Sequence, residues 1–85
     1  MVRCKFKLDS ITRSIATWLP PQREIWNVRM SPVYANSDPN HENSKFWQAA
    51  PSGSFELSTV NKEAVESLEL GKEYFIDITL AQKDG

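Results

Sequence analysis

Apolar and polar residues alternate along most of the chain, and this alternation predicts a fold built from β-strands. In VRCKFKLD the apolar side chains fall at even-numbered positions from Val2 to Leu8, and basic residues separate them. A period of two places the apolar side chains on one face of a strand. The pattern recurs in EIWNVRMSPVY, in SFELSTVN and in KEYFIDITLA. Tyr34 in the first of these runs and Leu80 in the last are expected to lie on the buried face.

Three interruptions shape the predicted strands. The next isoleucines after Leu8 are odd-numbered, so a bulge or bend is expected at Asp9 and Ser10. The WLPPQ stretch should break the first strand, because its two prolines, Pro20 and Pro21, lack amide donors. Pro32 suits an edge position or a bulge in the second strand.

Two connections carry helix signals. Asn61 is a favourable N-cap for a short helix that Gly71 would stop. Asp38 before Pro39 resembles an N-cap with proline at the first helical position, and that helix should end before Pro51. Together these elements predict a mainly β domain: a small antiparallel four- to five-stranded curled sheet or barrel with one or two short helices.

Length and composition predict one small domain spanning residues 1–85. A chain this short buries only about 60% of the surface exposed in its unfolded form, so a homo-oligomer is expected to supplement its core. Cys4 is the single cysteine, which excludes an internal disulfide and a cysteine metal cage. No signal peptide and no apolar run of about 20 residues is visible, so a cytoplasmic location without membrane association is expected.

Charge is distributed unevenly between the two parts of the chain. Residues 1–30 contain six basic and two acidic residues, whereas residues 31–85 contain four basic and nine acidic ones. The overall charge of −1 argues against a nucleic-acid partner, which usually requires a basic excess. A basic first strand beside an acidic last strand would explain the asymmetry through cross-strand pairing.

Candidate catalytic groups are few, and the sequence predicts a protein that is not an enzyme and needs no cofactor or metal. His41 is the only histidine and is interpreted as a loop or helix-start residue. Asp77 is either a surface aspartate opposite Lys5 or Lys7 or a partly buried carboxylate for recognition. No glycine-rich phosphate loop and no nucleophile elbow is present.

The segment from residue 36 to residue 53 is the predicted recognition element, because amide, hydroxyl and cationic groups, beginning with Asn36, precede an aromatic pair. Phe46 and Trp47 would point about 100° apart in a helix, so either both could contact one curved sheet or one could anchor while the other faces outward. Trp47 could also belong to the core. Arginines could contact phosphate, and an exposed tryptophan could mark an interface. The candidate binding residues are Trp18, Arg29, Asn40, Asn43, Lys45 and Trp47.

Three runs in order, VRCKFKLDSI, SPVY…ENSKFWQAAPSGSFEL and LELGKEYFID, resemble a family of small proteins encoded by tailed bacteriophages and prophages. The resemblance covers most of the chain and is weakest at residues 16–24. Ala50 stands where family members more often have threonine, and the last strand, around Ile76-Asp77-Ile78, is less aromatic than theirs. The resemblance implies a viral origin and indicates no mechanism.

Two functions are therefore expected to compete. The first is a non-enzymatic binding protein that acts in the host cytoplasm, as in counter-defence, and captures a host protein or a nucleotide-like signal. The alternative is a virion accessory protein that contacts capsid proteins as a decoration or tail component. Binding of single-stranded nucleic acid is a third hypothesis, which the acidic second half of the chain disfavours.

Overall fold

The computed structural model describes residues 2–18, 23–35 and 38–82, in which four strands form one antiparallel sheet. Strand β1 is Val2–Ala16, β2 is Arg23–Pro32, β3 is Phe55–Thr59 and β4 is Glu73–Ile78, in the spatial order β3-β2-β1-β4. Helix α1, Glu42–Trp47, precedes β3, and helix α2, Lys62–Glu66, precedes β4. The sheet curls without closing into a barrel, so the mainly β prediction is confirmed.

The core lies on the face of the sheet that the alternation predicted. Cys4, Phe6 and Leu8 of β1 are buried there beside Val28 and Met30 of β2. The register explains this shared face, because Leu8 lies opposite Met30 and residues that oppose each other across an antiparallel pair project from the same face. Val65 of α2 completes the buried cluster.

The bulge expected near Asp9 is confirmed. The register of β1 against β2 shifts between Leu8 and Ser10, so that Ile11, an odd-numbered residue, lies opposite Val28. Ile11 then packs against the core, as the even-numbered residues do before the bulge. The predicted break at Pro20-Pro21 and the predicted contribution of Asn36 fall outside the described residues.

Neither neighbouring strand pairs with the full length of β1. Strand β4 pairs only with residues 2–7 of β1, whereas β2 pairs with residues 6–16. The radius of gyration is 15.7 Å, compared with about 12 Å for a compact chain of this length. Pro32 lies at the end of β2, beyond the last pair with β3 at Met30 and Phe55, so its missing amide costs no bond to β3.

Helix α2 begins at the predicted N-cap, but the prediction that Gly71 stops it was wrong, because the helix ends at Glu66 with Ser67 as its C-cap. The Asn61 side chain accepts a hydrogen bond from the Glu63 amide at 3.2 Å, and Val65 is the buried residue of the helix. Gly71 has a φ of +82°, a conformation that favours glycine, and its amide donates to the carbonyl of Leu8 at 2.9 Å. The turn at Gly71 therefore ends this connection and leads directly into β4.

The predicted start of the first helix was wrong, whereas its end lies before Pro51 as expected. The N-cap of α1 is His41, not Asp38. The Asp38 carboxylate accepts the Asn40 amide at 2.9 Å, and its carbonyl accepts the His41 amide at 3.2 Å, so a turn precedes the helix. The helix ends at Trp47 because Gln48 adopts a left-handed conformation with a φ of 53°.

Two residues expected in the buried phase also lie outside their strands. Tyr34 follows the end of β2 and is 69% exposed, and Leu80 follows the end of β4 and is 90% exposed. Alternation continues in the sequence past each strand, but pairing with a neighbour stops earlier. Among the helices of the described ranges, none has the length and apolar character needed to span a bilayer.

Candidate binding groove between β1 and α1

Strand β2 separates from β1 after the pair formed by Phe6 and Pro32. One further backbone bond follows, in which the Val33 amide donates to the Lys5 carbonyl at 3.1 Å. The Lys5 amide does not continue the ladder and donates instead to Oδ1 of Asn43 at 2.7 Å. Helix α1 thus begins to take the place of β2 beside β1.

The Asn43 side chain joins β1, the end of β2 and α1. Its Nδ2 donates to the carbonyl of Lys5 at 2.8 Å and to the carbonyl of Val33 at 2.7 Å. The primary amide therefore stands where a peptide group would otherwise link the two strands. Asn43 is fully buried, and all of its polar atoms are paired, as a stable core requires.

Trp47 is the apolar anchor of α1. Its ring lies 6.2 Å from the ring of Phe6, and its Nε1 donates to the carbonyl of Ser52 at 3.1 Å. Phe46 contacts the Trp47 ring at 4.7 Å between centroids but remains 45% exposed. The aromatic pair therefore divides as one of the alternatives predicted, with one ring against the core and one facing solvent.

A groove of about 300 Å³ lies between the first residues of β1 and the outer face of α1. Its lining combines apolar and charged side chains: Val2, Arg3, Glu42, Lys45 and Phe46. Val2 and Phe46 are each 45% exposed, so the groove has apolar walls that water reaches. Such a mixture of aromatic, aliphatic and a few polar groups is typical of a recognition site.

One side of the groove is fixed by an ion pair between Arg3 and Asp77. Arg3 Nε lies 2.6 Å from Oδ1 of Asp77, and Nη2 lies 2.9 Å from Oδ2. This bidentate contact raises the pKa of Arg3 and holds the pKa of Asp77 below its usual value. Asp77 was expected opposite Lys5 or Lys7; its partner is Arg3, because the register places those two residues opposite each other.

The opposite wall carries Glu42 and Lys45. The pKa of Glu42 is lowered, first by a hydrogen bond from its own backbone amide at the helix start and then by nearby Lys5, although partial burial opposes the shift. Lys45 lies in the last turn of α1, where a cation suits the helix dipole. Within the described ranges, Lys45 is the one groove cation without an ion pair.

His41 acts as a capping residue, in agreement with its predicted place at a helix start. Its Nδ1 accepts a hydrogen bond from the Asn43 amide at 3.0 Å. The same nitrogen lies 3.7 Å from Oε2 of Glu42. The imidazole therefore caps the helix through Nδ1, the nitrogen that accepts the Asn43 amide.

The candidate residues from the sequence do not form one site. Lys45 lines the groove, and Asn40 is exposed in the turn before α1. Trp47 does not line the groove but packs helix α1 against Phe6 of the core. Arg29 is exposed on the face of the sheet opposite the core, and Trp18 is 68% exposed beyond the far end of β1. The expectation that Asn43 offers its amide to a ligand was wrong, since three backbone groups already use it.

Four groove residues were not among the candidates named from the sequence: Val2, Arg3, Glu42 and Phe46. The adjacent aromatic pair was a partial signal for Phe46, because one of the two predicted arrangements leaves one of the two rings facing outward. Val2 and Arg3 gave no such signal, since an alternating strand does not show which of its residues lie beside a helix.

The described residues provide little reactive chemistry. They contain no group of three or more His, Cys, Asp or Glu side chains placed to hold a metal ion. Cys4 is buried, and burial raises the pKa of its thiol, which disfavours the nucleophilic thiolate.

Comparison of the chain with protein-family models, with curated proteins and with solved structures gives no match.

Proposed function

We propose that this protein is a non-enzymatic binding protein that captures a protein partner through the groove between β1 and α1. The observation that carries the proposal is the combination of an exposed aromatic wall with a firmly attached helix. Phe46 is presented to solvent by a helix that Asn43 and Trp47 fasten to the sheet. A rigid aromatic contact loses little conformational entropy on binding, which favours recognition.

The charges of the groove favour a peptide segment over a nucleotide-like ligand. Two nitrogens of Arg3 are already bonded to Asp77, and Glu42 adds a negative charge beside Lys45. Phosphate groups are usually bound by several unpaired donors or by a bidentate arginine. A segment with one acidic and one apolar side chain matches this lining better than a polyanion does.

The biological setting of the proposal comes from the resemblance to tailed-phage proteins. The viral origin that this resemblance implies would place the proposed capture of a host protein in the cytoplasm of an infected cell, as a counter-defence role. The charge balance supports a protein partner over nucleic acid, because the groove has no basic excess beyond Lys45 once Arg3 is paired.

Selection from a displayed library of random heptapeptides tests the proposal. We expect heptapeptides that bind the intact protein and lose at least about tenfold in affinity on Phe46→Ala or Lys45→Glu. Tyr34→Ala and Lys72→Glu are matched controls at exposed positions outside the groove and should change affinity less than about twofold. Equal losses in controls and groove variants, or no selected peptide, would overturn the proposal.

A thermal-shift experiment separates the two ligand classes. Millimolar ATP or cyclic AMP should not raise the melting temperature, whereas a selected heptapeptide should. Stabilisation by either nucleotide that disappears in Lys45→Glu would favour the nucleotide-like ligand instead.

The extended shape of the molecule favours a second candidate function, that of a virion accessory protein. The radius of gyration exceeds that of a compact domain, and apolar side chains such as Ile15, Leu57 and Ile78 are more than half exposed. Subunits of an assembly often bury such surfaces against neighbours. Mass spectrometry of purified particles from a phage that encodes the chain decides the matter, because a particle without it excludes this role.

A further inference from the structure

We infer that the partner segment binds in the groove as an added β-strand, paired with the backbone of Arg3. This inference rests on the proposed function and specifies how the groove is used. In β-strand addition, main-chain hydrogen bonds provide affinity and pockets for alternate side chains provide specificity. The first residues of β1 supply both kinds of contact.

The direction of the Arg3 backbone follows from the hydrogen bonds on either side of β1. The Leu8 amide donates to the Lys72 carbonyl at 3.0 Å, and the Leu8 carbonyl accepts the Gly71 amide at 2.9 Å, so Leu8 points towards the β4 side. Lys5 points the other way, towards Val33 and Asn43. Consecutive residues of an antiparallel strand alternate between the two sides, so the backbone of Arg3 points the same way as that of Lys5.

The Arg3 backbone is open on that side in the part of the chain that the structure describes. Pairing with β2 ends at Phe6, and the Asn43 amide serves only Lys5 and Val33. No described residue bonds to the amide or carbonyl of Arg3 from the α1 side. The groove lies directly beside this position, since Arg3 and Val2 form one of its walls.

The chemistry of the added strand follows from the two walls. One side chain of the segment should be apolar, because it would meet Val2 and Phe46. A second should be acidic, because Lys45 is the groove cation that forms no direct ion pair with a carboxylate of the described residues and has only Glu42 nearby. The partner is therefore an extended peptide segment that carries an apolar and an acidic residue.

The other open edge of β1 is less suited to strand addition. Beyond the bulge, β1 has no β4 beside it, yet Arg13 lies on the apolar face there and pairs with Glu24 at 3.2 Å. A charged side chain that points towards the core face opposes edge-to-edge pairing, because a second strand would have to bury it. This contrast favours the groove over the far edge.

Amide-to-ester replacement in a selected heptapeptide tests the inference, since an ester oxygen removes one N–H donor without adding bulk. Replacement of the amide that bonds to the Arg3 carbonyl should lower affinity about tenfold, and replacement of the amides on either side should lower it less than about threefold. Hydrogen exchange of the Arg3 amide should slow at least about tenfold in the complex.

The outcomes separate the inference from the proposed function. A heptapeptide that depends on Phe46 and Lys45 but tolerates every ester replacement, and leaves Arg3 exchange unchanged, would refute strand addition while the binding function stands. A library that yields no heptapeptide dependent on Phe46 and Lys45 would overturn both. An alternating ester pattern together with slowed Arg3 exchange supports both.

Discussion

The two helices are alike in sequence signals and differ in how they attach to the sheet. Each is short, each has an N-cap side chain that accepts an amide two residues later, and each has a glutamate in its first turn. Helix α2 attaches through Val65, an aliphatic side chain in the core. Helix α1 attaches through Asn43, a buried amide that bonds to two backbone segments.

This difference explains why the candidate groove is beside α1. Aliphatic contacts are non-directional, so they fix the distance of a helix from the sheet better than its rotation. The planar amide of Asn43 makes three hydrogen bonds, one accepted and two donated. They fix both the distance and the rotation of α1, because each bond is sensitive to angle. Phe46 and Lys45 are consequently held in a defined position relative to Val2 and Arg3, as a preformed site requires.

Loss of the buried amide should have the largest effect on stability. Asn43→Leu keeps the approximate side-chain volume but leaves the Lys5 amide and the Val33 carbonyl without their partner. We expect the free energy of unfolding to fall by about 2–4 kcal/mol, measured by urea denaturation. Asn40→Leu, the same change at an exposed position, should cost less than about 0.5 kcal/mol. Similar values for both variants would contradict the role given to Asn43.

Truncation of the apolar anchors should come next. Trp47→Ala removes the ring that contacts Phe6 and should cost about 2–3 kcal/mol, less than a fully buried tryptophan because Trp47 is partly exposed. Val65→Ala should cost about 1–2 kcal/mol, in proportion to the two methyl groups removed. Thermal and urea unfolding of both variants would check this order, and a larger cost for Val65→Ala would reverse the comparison.

The two caps should respond differently to substitution. Asn61→Ala removes the acceptor of the Glu63 amide and should cost about 1 kcal/mol. His41→Asn replaces an unusual capping residue by a preferred one, so stability should change by less than about 0.5 kcal/mol or increase. Urea denaturation measures both. A loss of more than about 1 kcal/mol in His41→Asn would show that the imidazole contributes more than the cap.

The smallest expected effect concerns the ion pairs near each helix. Because Arg3 lowers the pKa of Asp77, the pair stabilises the fold above the ordinary aspartate pKa and loses this contribution as the pH falls through the lowered value. The stability difference between the native chain and Asp77→Asn should therefore be present at neutral pH and disappear in acid. Glu66→Gln, which removes an exposed pair with Lys62, should change stability less than Asp77→Asn at neutral pH. A difference that grows in acid would contradict the assignment.

The strand pattern could be predicted because alternation has a direct physical cause. Val28, Met30 and the even residues of β1 before the bulge share one face, and the parity change before Ile11 identified the bulge. The N-cap at Asn61 could also be predicted from the sequence. Leu80 and Tyr34 were misassigned because alternation alone does not show where pairing ends.

The groove could be predicted only in part, because it depends on which residues meet across long separations. Lys45 and Trp47 were named from the local segment, whereas Arg3 lies far away in the sequence. Asn43 looked like a surface amide in the polar stretch NHENSK. Nothing local indicates that the Lys5 amide, 38 residues earlier, lacks a strand partner and uses this side chain instead. Asp38 likewise had the sequence of an N-cap but forms the turn before it.

The groove exists only if α1 lies beside β1, and the hydrogen bond from the Lys5 amide to the Asn43 side chain is the direct sign of that position. An NMR experiment that detects couplings across hydrogen bonds can identify the acceptor of the Lys5 amide directly. A cross-peak from the Lys5 nitrogen to the side-chain carbonyl carbon of Asn43 is the predicted result. A cross-peak to the backbone carbonyl carbon of Val33 would show that β2 continues along β1 and that α1 does not occupy this place.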